Sequence, residues 1–472
     1  MIGTIDNSKY FVSEEKSVKT ITAKFWNDCE HQLGTYMEDT DYDFVVEEDT
    51  NFFAPPSCDV TKAQTCDRDC SKCINEDDVI FIFRKNVFSE KEQQGAYEGL
   101  VGAALPTQNR GLAAGPKGQK QGNRDWVTEE QIEIMEHFIH NKKSLFDDGS
   151  DPIEKIYAKY LSKDEQPTRG IVWLRSKIQD SGYNYDTFFM DKTNEWRKMS
   201  IEDAAKDAAK IKNEFISDTS YANQVLSGIA GFYDRYPRIP YGRATSYTEN
   251  NYETYEKCYP FMEKLAAEFK KYLPRRYSIQ STCADKLDPR FRVAGKKTPF
   301  TTITVNKNFR TAAHRDAGDL HEGFSNLTVV ANDKHWEGGY LVLPEFRVAV
   351  NIRPGDLLLI NNHGGIHGNT ELRPPEGKKI EDMERISLVC YFRENMLELG
   401  SWEYETLRRN FVDDRRLNQE HKEWRAFWNG VSPAMWESEE WYDYLKKKGG
   451  EEMLEKYHPK ALETKSSLEA FF

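Results

Sequence analysis

Two histidines and one aspartate stand where they could share a metal ion. His314 and Asp316 directly follow the strand-like run 301–313, and side chains two residues apart in an extended chain point to the same side. His367 follows a later strand-like run and a turn. Two histidines with one carboxylate make the facial triad of non-haem iron(II) oxygenases, which leaves positions on the metal for a co-substrate and dioxygen. We therefore predict that His314, Asp316 and His367 are catalytic iron(II) ligands.

His363 is the alternative third ligand, because it stands in the same turn as His367. We prefer His367 because Asn369 and Thr370 follow it closely. His363 is then expected to lie beside the metal site or in a loop, without binding the ion.

A strand that carries two arginines predicts a site for the co-substrate. Residues 385–393 alternate between two faces, and one face collects Arg385, Ser387, Val389, Tyr391 and Arg393. A guanidinium group binds a carboxylate through two parallel hydrogen bonds, and a serine hydroxyl two residues further on can add a third. Beside an iron triad, this pattern predicts that Arg385 and Ser387 hold the distal carboxylate of 2-oxoglutarate. An arginine on an exposed strand with a surface partner is the alternative.

Four cysteines in the N-terminal part follow the pattern C-x7-C-x3-C-x2-C, at Cys58, Cys66, Cys70 and Cys73. Four thiolates can form a structural zinc site, and unliganded thiols are the alternative. The last three also have the iron–sulfur spacing of radical-SAM enzymes, but no accompanying barrel pattern follows them. Zinc is therefore a second metal that the sequence allows.

The residue pattern divides the chain into four regions. Residues 1–95 are acidic and contain the cysteine cluster, and residues 96–275 contain mainly helical patterns. Residues 276–396 consist of short apolar runs separated by glycines and prolines, which is typical of a sandwich or barrel. Residues 397–472 are helical, charged and rich in tryptophan. The chemistry predicted above therefore falls within the β-rich region.

Individual elements can be placed within these regions. Residues 79–83 form an apolar run that predicts a buried strand, and Ser200 with Asp203 predicts a capped helix start. A further helix is predicted over 255–272, with Pro274 ending it. The predicted strands of the β-rich region are 301–305, 327–330, 340–343, 347–350, 356–360 and 386–392.

Charge and hydropathy limit the possible partners. The 472 residues carry a formal net charge of −13, which argues against loose, charge-driven adhesion to nucleic acid. Residues 285–310 are locally basic, and they form either a track for a phosphate backbone or a solvated loop. No run is apolar enough to span a membrane, and the first residues lack the apolar core of a signal peptide. We therefore expect an intracellular chain without a membrane partner.

Three runs together resemble a known oxygenase domain. They are TTITVNKNFRTAAHRDAGDLHEGFSNLTVV, LVLPEFRVAVNIRPGDLLLINNHGGIHGNTE and ERISLVCYFRE. They are similar to the domain shared by the TET 5-methylcytosine dioxygenases and the kinetoplastid J-binding-protein thymine hydroxylases, and are closer to the latter. The phrase GFYDRYPRIPYGR at 231–243 also resembles the J-binding proteins, so the likeness extends over residues 80–400.

The resemblance implies an α+β fold with a double-stranded β-helix (jelly-roll) core and flanking helices. It also implies iron(II), 2-oxoglutarate and dioxygen, and oxidation of the 5-methyl group of a flipped pyrimidine base in DNA. The chain departs from the J-binding proteins in one respect, because the segment between His314 and His367 is too short for an inserted base-J-binding domain. Any part that reads DNA is then expected among the flanking helices.

Three residues bear on which base is oxidised. Tyr391 stands where TET enzymes carry a tyrosine that stacks on the flipped base, and Arg393 stands where they place a base-contacting histidine. Arginine only donates hydrogen bonds, which suits the C4 carbonyl of thymine better than the amino group of 5-methylcytosine. Asp319 departs from the TET motif, and it either accepts the N3 proton of thymine or caps a loop.

We therefore predict hydroxylation of thymine to 5-hydroxymethyluracil. One alternative is a 5-methylcytosine dioxygenase, and another is a protein or small-molecule hydroxylase on the same barrel. A non-catalytic nucleic-acid-binding module is the remaining alternative, although such a module would not need an intact triad with Arg385.

Overall fold

The computed structural model describes most of the chain. The described residues are 3, 5–55, 76–116, 134–135, 137–138, 185–212, 223–236, 239–316, 318–331, 335–417 and 433–461. Cys58, Cys66, Cys70 and Cys73 lie outside these residues, so the zinc site stays a prediction. The chain divides into two compact units, of which the first contains 1–116, 222–410 and 439–472 and the second contains 117–221 and 411–438.

The strands within the described ranges all belong to the first unit. In chain order they are β1 Tyr10–Glu15, β2 Val18–Ala23, β3 Phe44–Val46, β4 Thr50–Phe53, β5 Val79–Arg84, β6 Pro106–Thr107, β7 Val225–Tyr233, β8 Arg243–Ala244, β9 Thr302–Lys307, β10 Ser325–Ala331, β11 Glu337–Gly338, β12 Leu341–Leu343, β13 Val348–Val350, β14 Leu357–Ile360, β15 Gly368–Asn369, β16 Leu372–Arg373 and β17 Arg385–Tyr391.

Two sheets face each other in this unit. The larger has the order β1-β2-β4-β5-β14-β10-β17-β9-β7-β6, with β8 also paired to β7. The smaller has the order β15-β12-β13-β3, and a separate two-stranded pair joins β11 to β16. Most pairs are antiparallel, whereas β2 with β4 and β13 with β3 are parallel. Both sheets therefore combine strands of the predicted β-rich region with strands from the N-terminal part of the chain.

The helices are distributed over both units. Their bounds are α1 Glu90–Leu100, α2 Tyr185–Lys198, α3 Ile201–Lys212, α4 Ser246–Asn250, α5 Tyr252–Tyr255, α6 Tyr259–Tyr272, α7 Pro274–Ala284, α8 Trp402–Leu417, α9 Glu439–Gly449 and α10 Glu451–Tyr457. No helix in these ranges combines the length and the apolar composition that a membrane span requires.

Strand β17 shows how the larger sheet lies between two apolar layers. Ile386, Leu388 and Cys390 pack in the cluster that contains the buried face of α6. Val389 and Tyr391 lie on the opposite face and pack in the cluster shared with the smaller sheet. This confirms the alternation predicted for the strand. The fold is therefore of the α+β class with a jelly-roll core and flanking helices, as predicted.

The second unit contains α2 and α3 among its described elements. The indole of Trp196 is fully buried, and its Nε1 donates to Asp207 Oδ2 at 3.0 Å. The ring of Phe138 lies 5.1 Å from that of Trp196, measured between centroids. The predicted capped start is confirmed, because the backbone N–H of Asp203 donates to Ser200 Oγ at 3.1 Å and α3 begins at Ile201.

All six strands predicted within 301–392 are confirmed, and so is the strand at 79–83. The helix predicted over 255–272 begins later, since α6 starts at Tyr259 after a short helical turn. Pro274 does more than end a helix, because it is the first residue of α7. Proline fits that position since the first turn of a helix leaves its N–H groups unpaired.

Strand β7 was not predicted, because two glycines interrupt the apolar pattern of its sequence VLSGIAGFY. It pairs with β9 and so extends the sheet next to the strand that leads to His314. Gly228 lets β7 approach a neighbouring segment closely, since a Cβ at this position would lie 1.8 Å from the carbonyl oxygen of Ala103.

Replacing Gly228 by alanine should therefore destabilise the fold. The added methyl group forces β7 away from Ala103, and we expect the free energy of unfolding to fall by about 1–3 kcal/mol. Gly365→Ala is the control, because a Cβ there comes no closer than 3.4 Å to any neighbour. Chemical denaturation of both variants measures the difference, and equal stabilities would contradict the close approach of β7.

Candidate active site

The three predicted iron ligands lie together. The backbone N–H of His314 donates to the carbonyl of His367 at 2.9 Å, and that of His367 donates back at 3.0 Å. Asp316 Oδ1 lies 3.4 Å from His314 Nε2, and its Oδ2 lies 3.9 Å from His367 Nε2. In the described part of the chain, no other group of three or more histidine, cysteine or carboxylate side chains is spaced to hold a metal ion.

Hydrogen bonds fix the orientation of both imidazole rings. His314 Nδ1 lies 2.8 Å from the carbonyl oxygen of Ala312, and His367 Nδ1 lies 3.2 Å from that of Gly365. A carbonyl can only accept, so each Nδ1 carries the proton and each Nε2 keeps its lone pair. This is the tautomer that a metal ion requires of its histidine ligands.

Asn362 holds the carboxylate between the two rings. Its Nδ2 donates to Asp316 Oδ2 at 3.0 Å, and its backbone carbonyl accepts the backbone N–H of Asp316 at 3.1 Å. Asn362 lies just after β14, and sequence reasoning missed its role although it stands within the quoted motif. Side chains that orient a metal ligand in this way strengthen the binding of the metal.

The charge states suit a metal ion. Burial favours the neutral form of Asp316, but its interactions with the nearby imidazoles of His314 and His367 outweigh burial and lower the pKa of Asp316 to about 2. Burial, reinforced by His314, lowers the pKa of His367 to about 4. At neutral pH the site therefore offers an ionised carboxylate and a neutral imidazole, which are the forms that bind metal ions.

His363 does not join this cluster. Its ring lies edge-on to the ring of His321, with 5.0 Å between the centroids. The structure thus groups His367, rather than His363, with His314 and Asp316.

One cavity of about 480 Å³ connects the predicted iron, co-substrate and substrate residues. Its lining includes the three metal-ligand candidates, the predicted co-substrate residues Arg385 and Ser387, and the predicted substrate residues Asp319, Tyr391 and Arg393. The cavity lies within the first unit of the chain. Residues far apart in sequence therefore converge on one space with the metal-ligand candidates in its wall.

Arg385 offers this cavity a buried cation. Its side chain is buried, and its Nε has no hydrogen-bond partner. Burial, together with the charge of Arg353, lowers the pKa of Arg385 to about 10, so the group is still cationic at neutral pH. A buried guanidinium with an unpaired N–H is unfavourable unless an anion binds it. The residues present thus fit the distal carboxylate of 2-oxoglutarate.

Arg393 is held by two neighbours that sequence reasoning missed. Its Nε donates to Asp234 Oδ1 at 2.9 Å, and its guanidinium carbon lies 4.2 Å from the centroid of the Tyr233 ring. The Asp234 side chain is almost fully buried. Tyr233 and Arg393 both line the cavity, so the remaining N–H groups of Arg393 are held close to it. Both partners belong to residues 231–243, and the likeness of this stretch to the J-binding proteins was the signal that could have pointed to them.

Asp319 has an unusual environment at the same end of the cavity. Its Oδ2 accepts a hydrogen bond from Ser325 Oγ at 2.7 Å. Burial, together with the charge of Asp316, raises the pKa of Asp319 to about 8. The group therefore carries a proton near neutral pH, and its predicted role toward the N3 proton of thymine stays a prediction.

The loop 109–113 also lines the cavity, and no motif pointed to it. Arg110 lies close enough to Tyr391, Tyr233 and Asp316 to interact with them electrostatically, and its buried Nε has no partner. A long stretch of chain separates the loop from the strands that carry the predicted site residues. Only the fold brings it to the site.

Comparison with known proteins identifies the segment that builds this cavity. Residues 228–394 match the family model Tet_JBP, described as the oxygenase domain of the 2OGFeDO superfamily. The segment is a TET/JBP-type oxygenase domain. The predicted resemblance is thereby confirmed over these residues, which form part of the predicted 80–400. As a member of that superfamily, the Tet_JBP domain uses iron(II) and 2-oxoglutarate.

Curated relatives of the Tet_JBP domain carry thymine dioxygenase in their names. Thymine dioxygenase JBP1-B of Trypanosoma cruzi (strain CL Brener) is 36% identical over 171 residues, which are 36% of this chain and 19% of that protein. Bifunctional helicase and thymine dioxygenase JBP2 of Trypanosoma brucei brucei (strain 927/4 GUTat10.1) is 33% identical over 210 residues, or 44% of this chain and 18% of that protein. The chain thus spans less than a quarter of the length of these relatives.

A solved structure of NgTET1 in complex with 5mC DNA is also similar in part. The match covers 44% of this chain and 75% of the NgTET1 chain. The TM-score is 0.30 and the sequence identity is 15%, a level at which the likeness supports no conclusion about fold or function.

The basic stretch 285–310 does not form an open cationic track beside the Tet_JBP site. Arg292 is buried and pairs with Asp285, whereas Arg290 pairs with Asp288 and Glu403. Three further cations of the stretch have acidic partners elsewhere in the fold, namely Lys297 with Glu263, Lys307 with Glu384 and Arg310 with Glu38. Most of this positive charge is therefore compensated within the fold.

Replacing Asp316 by alanine should abolish iron binding. Two histidines alone leave too few anchors for a metal that must also bind a co-substrate, so both iron retention and succinate release should be lost. His363→Ala is the matched control and should keep both, because His363 lies outside the cluster. Elemental analysis of the reconstituted variants measures iron content, and an Asp316→Ala variant with full iron content would exclude this site.

Proposed function

We propose that this chain hydroxylates the 5-methyl group of thymine in DNA to give 5-hydroxymethyluracil, with iron(II), 2-oxoglutarate and dioxygen. The observation that carries the proposal is the single cavity, whose lining includes the metal-ligand triad, the buried Arg385, Tyr391 and Arg393. The thymine dioxygenase names of the relatives support the choice of substrate.

His314, Asp316 and His367 would hold the iron ion, and Arg385 with Ser387 would hold 2-oxoglutarate. When bound, the iron and 2-oxoglutarate would supply, with dioxygen as the oxidant, the chemistry that breaks the methyl C–H bond. The side chains of the cavity position the ion and the co-substrate. The oriented Nε2 atoms fix the ion, while the guanidinium of Arg385 sets how deep the dicarboxylate lies in the cavity. Apolar side chains such as Leu341 and Ile352 line the same cavity and exclude water.

Tyr391 and Arg393 would receive the base. An enzyme that acts on a methyl group inside a duplex must extrude the nucleotide and recognise its Watson–Crick edge. Tyr391 is a buried aromatic side chain in the cavity wall, which suits stacking on a pyrimidine. Arg393 is fixed by Asp234 and Tyr233, so its free N–H groups present a donor edge for the C4 carbonyl of thymine.

A 5-methylcytosine base would meet this donor edge with its amino group, which also donates. Two donors facing each other leave both unpaired, which costs binding energy in a buried site. Asp319 is the nearby group that could accept from that amino group. Its Oδ2 already accepts a hydrogen bond from Ser325 Oγ.

The base preference can be measured directly. We expect duplex DNA that contains both thymine and 5-methylcytosine to yield mainly 5-hydroxymethyluracil after incubation with enzyme, iron(II) and 2-oxoglutarate. Mass spectrometry of the digested nucleosides distinguishes the products. Formation of 5-hydroxymethylcytosine alone would refute the thymine assignment, and succinate release only with peptides or free nucleosides would refute DNA as the substrate.

The Arg385→Lys variant tests the co-substrate site. Lysine keeps the charge but loses the two-pronged geometry, so we expect the KM for 2-oxoglutarate to rise by about one to two decades, on the order of 1.4–2.8 kcal/mol. Arg353→Lys is the control, because Arg353 lies near Arg385 but does not line the cavity. Steady-state succinate assays measure both values, and an unchanged KM for Arg385→Lys would assign the role to another residue.

A further inference from the structure

We infer that Leu112, at the rim of the cavity, fills the space that the target base leaves in the duplex when it is extruded. This inference rests on the proposed function, because only a duplex substrate has such a space. It assigns to the loop 109–113 a part in extruding the base, distinct from the residues that would bind iron, 2-oxoglutarate or the base itself.

Leu112 is both exposed and part of the cavity lining. Its relative exposure is 51%, which is high for a leucine, and Asn109 and Gly111 in the same loop are also exposed. Gly111 beside it has a φ of +51°, and a Cβ built there would meet nothing within 4 Å. Open space therefore lies next to Leu112 on the rim.

Hydrogen bonds hold the loop to neighbouring segments of the chain. The carbonyl of Ala113 accepts the backbone N–H of Ala312 at 2.9 Å, and the carbonyl of Leu112 accepts that of Gly115 at 3.0 Å. Asn223 Nδ2 donates to the carbonyl of Ala114 at 2.9 Å. Because Ala312 stands two residues before His314, these bonds fix the position of Leu112 relative to the metal-ligand candidates.

The side chain is also supported on one side. A Cβ at Gly34 would lie 3.3 Å from Leu112 Cδ2, so the leucine rests against Gly34. The backbone N–H of Gly34 in turn donates to the carbonyl of Ala313 at 2.8 Å. Leu112 is therefore an exposed apolar group that rests against Gly34 at the edge of the cavity.

An apolar group in this place suits a duplex that has lost a base from its stack. Proteins that open base stacks often insert leucine or a similar wedge, because the exposed faces of the neighbouring bases are apolar. A single exposed leucine needs no explanation by itself. Leu112 differs in that it lies on the rim through which the extruded base would pass and on a loop tied to the site.

The test compares three DNAs that each contain one thymine. They are a fully paired duplex, the same strand alone, and a duplex with an abasic analogue opposite the thymine. We expect Leu112→Ala to lower kcat/KM about tenfold on the paired duplex, because extrusion there lacks the wedge. Activity on the single strand should stay within about twofold of wild type, since no base has to leave a stack in a duplex.

Two further variants and one substrate sharpen the comparison. Leu105→Ala should have no effect, because Leu105 is 62% exposed but does not line the cavity. Leu112→Met should keep the duplex activity, since methionine is a similar apolar wedge. The loss caused by Leu112→Ala should be smaller on the duplex with the abasic analogue, whose thymine has no partner to break away from.

The outcomes separate this inference from the proposed function. An equal loss on all three DNAs, or no loss on any, overturns the role of Leu112 while the thymine assignment stands. A wild-type enzyme that hydroxylates thymine in none of the three DNAs overturns the proposed function, and the inference falls with it.

Discussion

Two reciprocal backbone hydrogen bonds between His314 and His367 hold together the chain segments that build the site. The first segment follows β9, and the second follows β14 on another part of the larger sheet. Neither segment alone offers enough ligands for a metal ion. Their pairing sets the imidazole spacing before any ion arrives, so the geometry of the metal site is a property of the backbone. The hydrogen bonds that the two imidazoles donate to the carbonyls of Ala312 and Gly365, and the one that Asn362 donates to Asp316, then orient the ligand atoms.

Positive charge is distributed differently between the cavity and the basic surface stretch. The chain as a whole is acidic, and its basic surface stretch is largely paired with nearby carboxylates. Arg110 and Arg385 instead line the cavity, each with a buried Nε that has no partner. Their desolvation lowers the pKa of both. Positive charge available to an anionic co-substrate is thus concentrated inside the site rather than spread over the outside.

The sequence predicts the site better than it predicts the sheet that carries it. The spacing of His314 with Asp316 and the alternation from Arg385 to Arg393 are local, so strand periodicity alone orders those residues. The neighbours of these residues could not be predicted in this way. Asp234 reaches Arg393, and the loop at Arg110 reaches Tyr391, only through the pairing of β7 with β9 and the packing of the N-terminal part. The glycines of β7 weaken its local signal because their purpose is close approach, which depends on a partner elsewhere in the chain.

The pairing of early and late strands also sets the order in which the molecule can fold. β3 pairs with β13 and β5 pairs with β14, although hundreds of residues separate the partners in sequence. Contacts of such high sequence separation form late and slowly, because the intervening chain must first lose its conformational entropy. Until then the edges of β13 and β14 expose unpaired N–H and C=O groups to other chains. A nascent or partly unfolded molecule is therefore vulnerable to self-association at these edges. The N-terminal strands protect the oxygenase segment from such association, because they pair with the edges of β13 and β14.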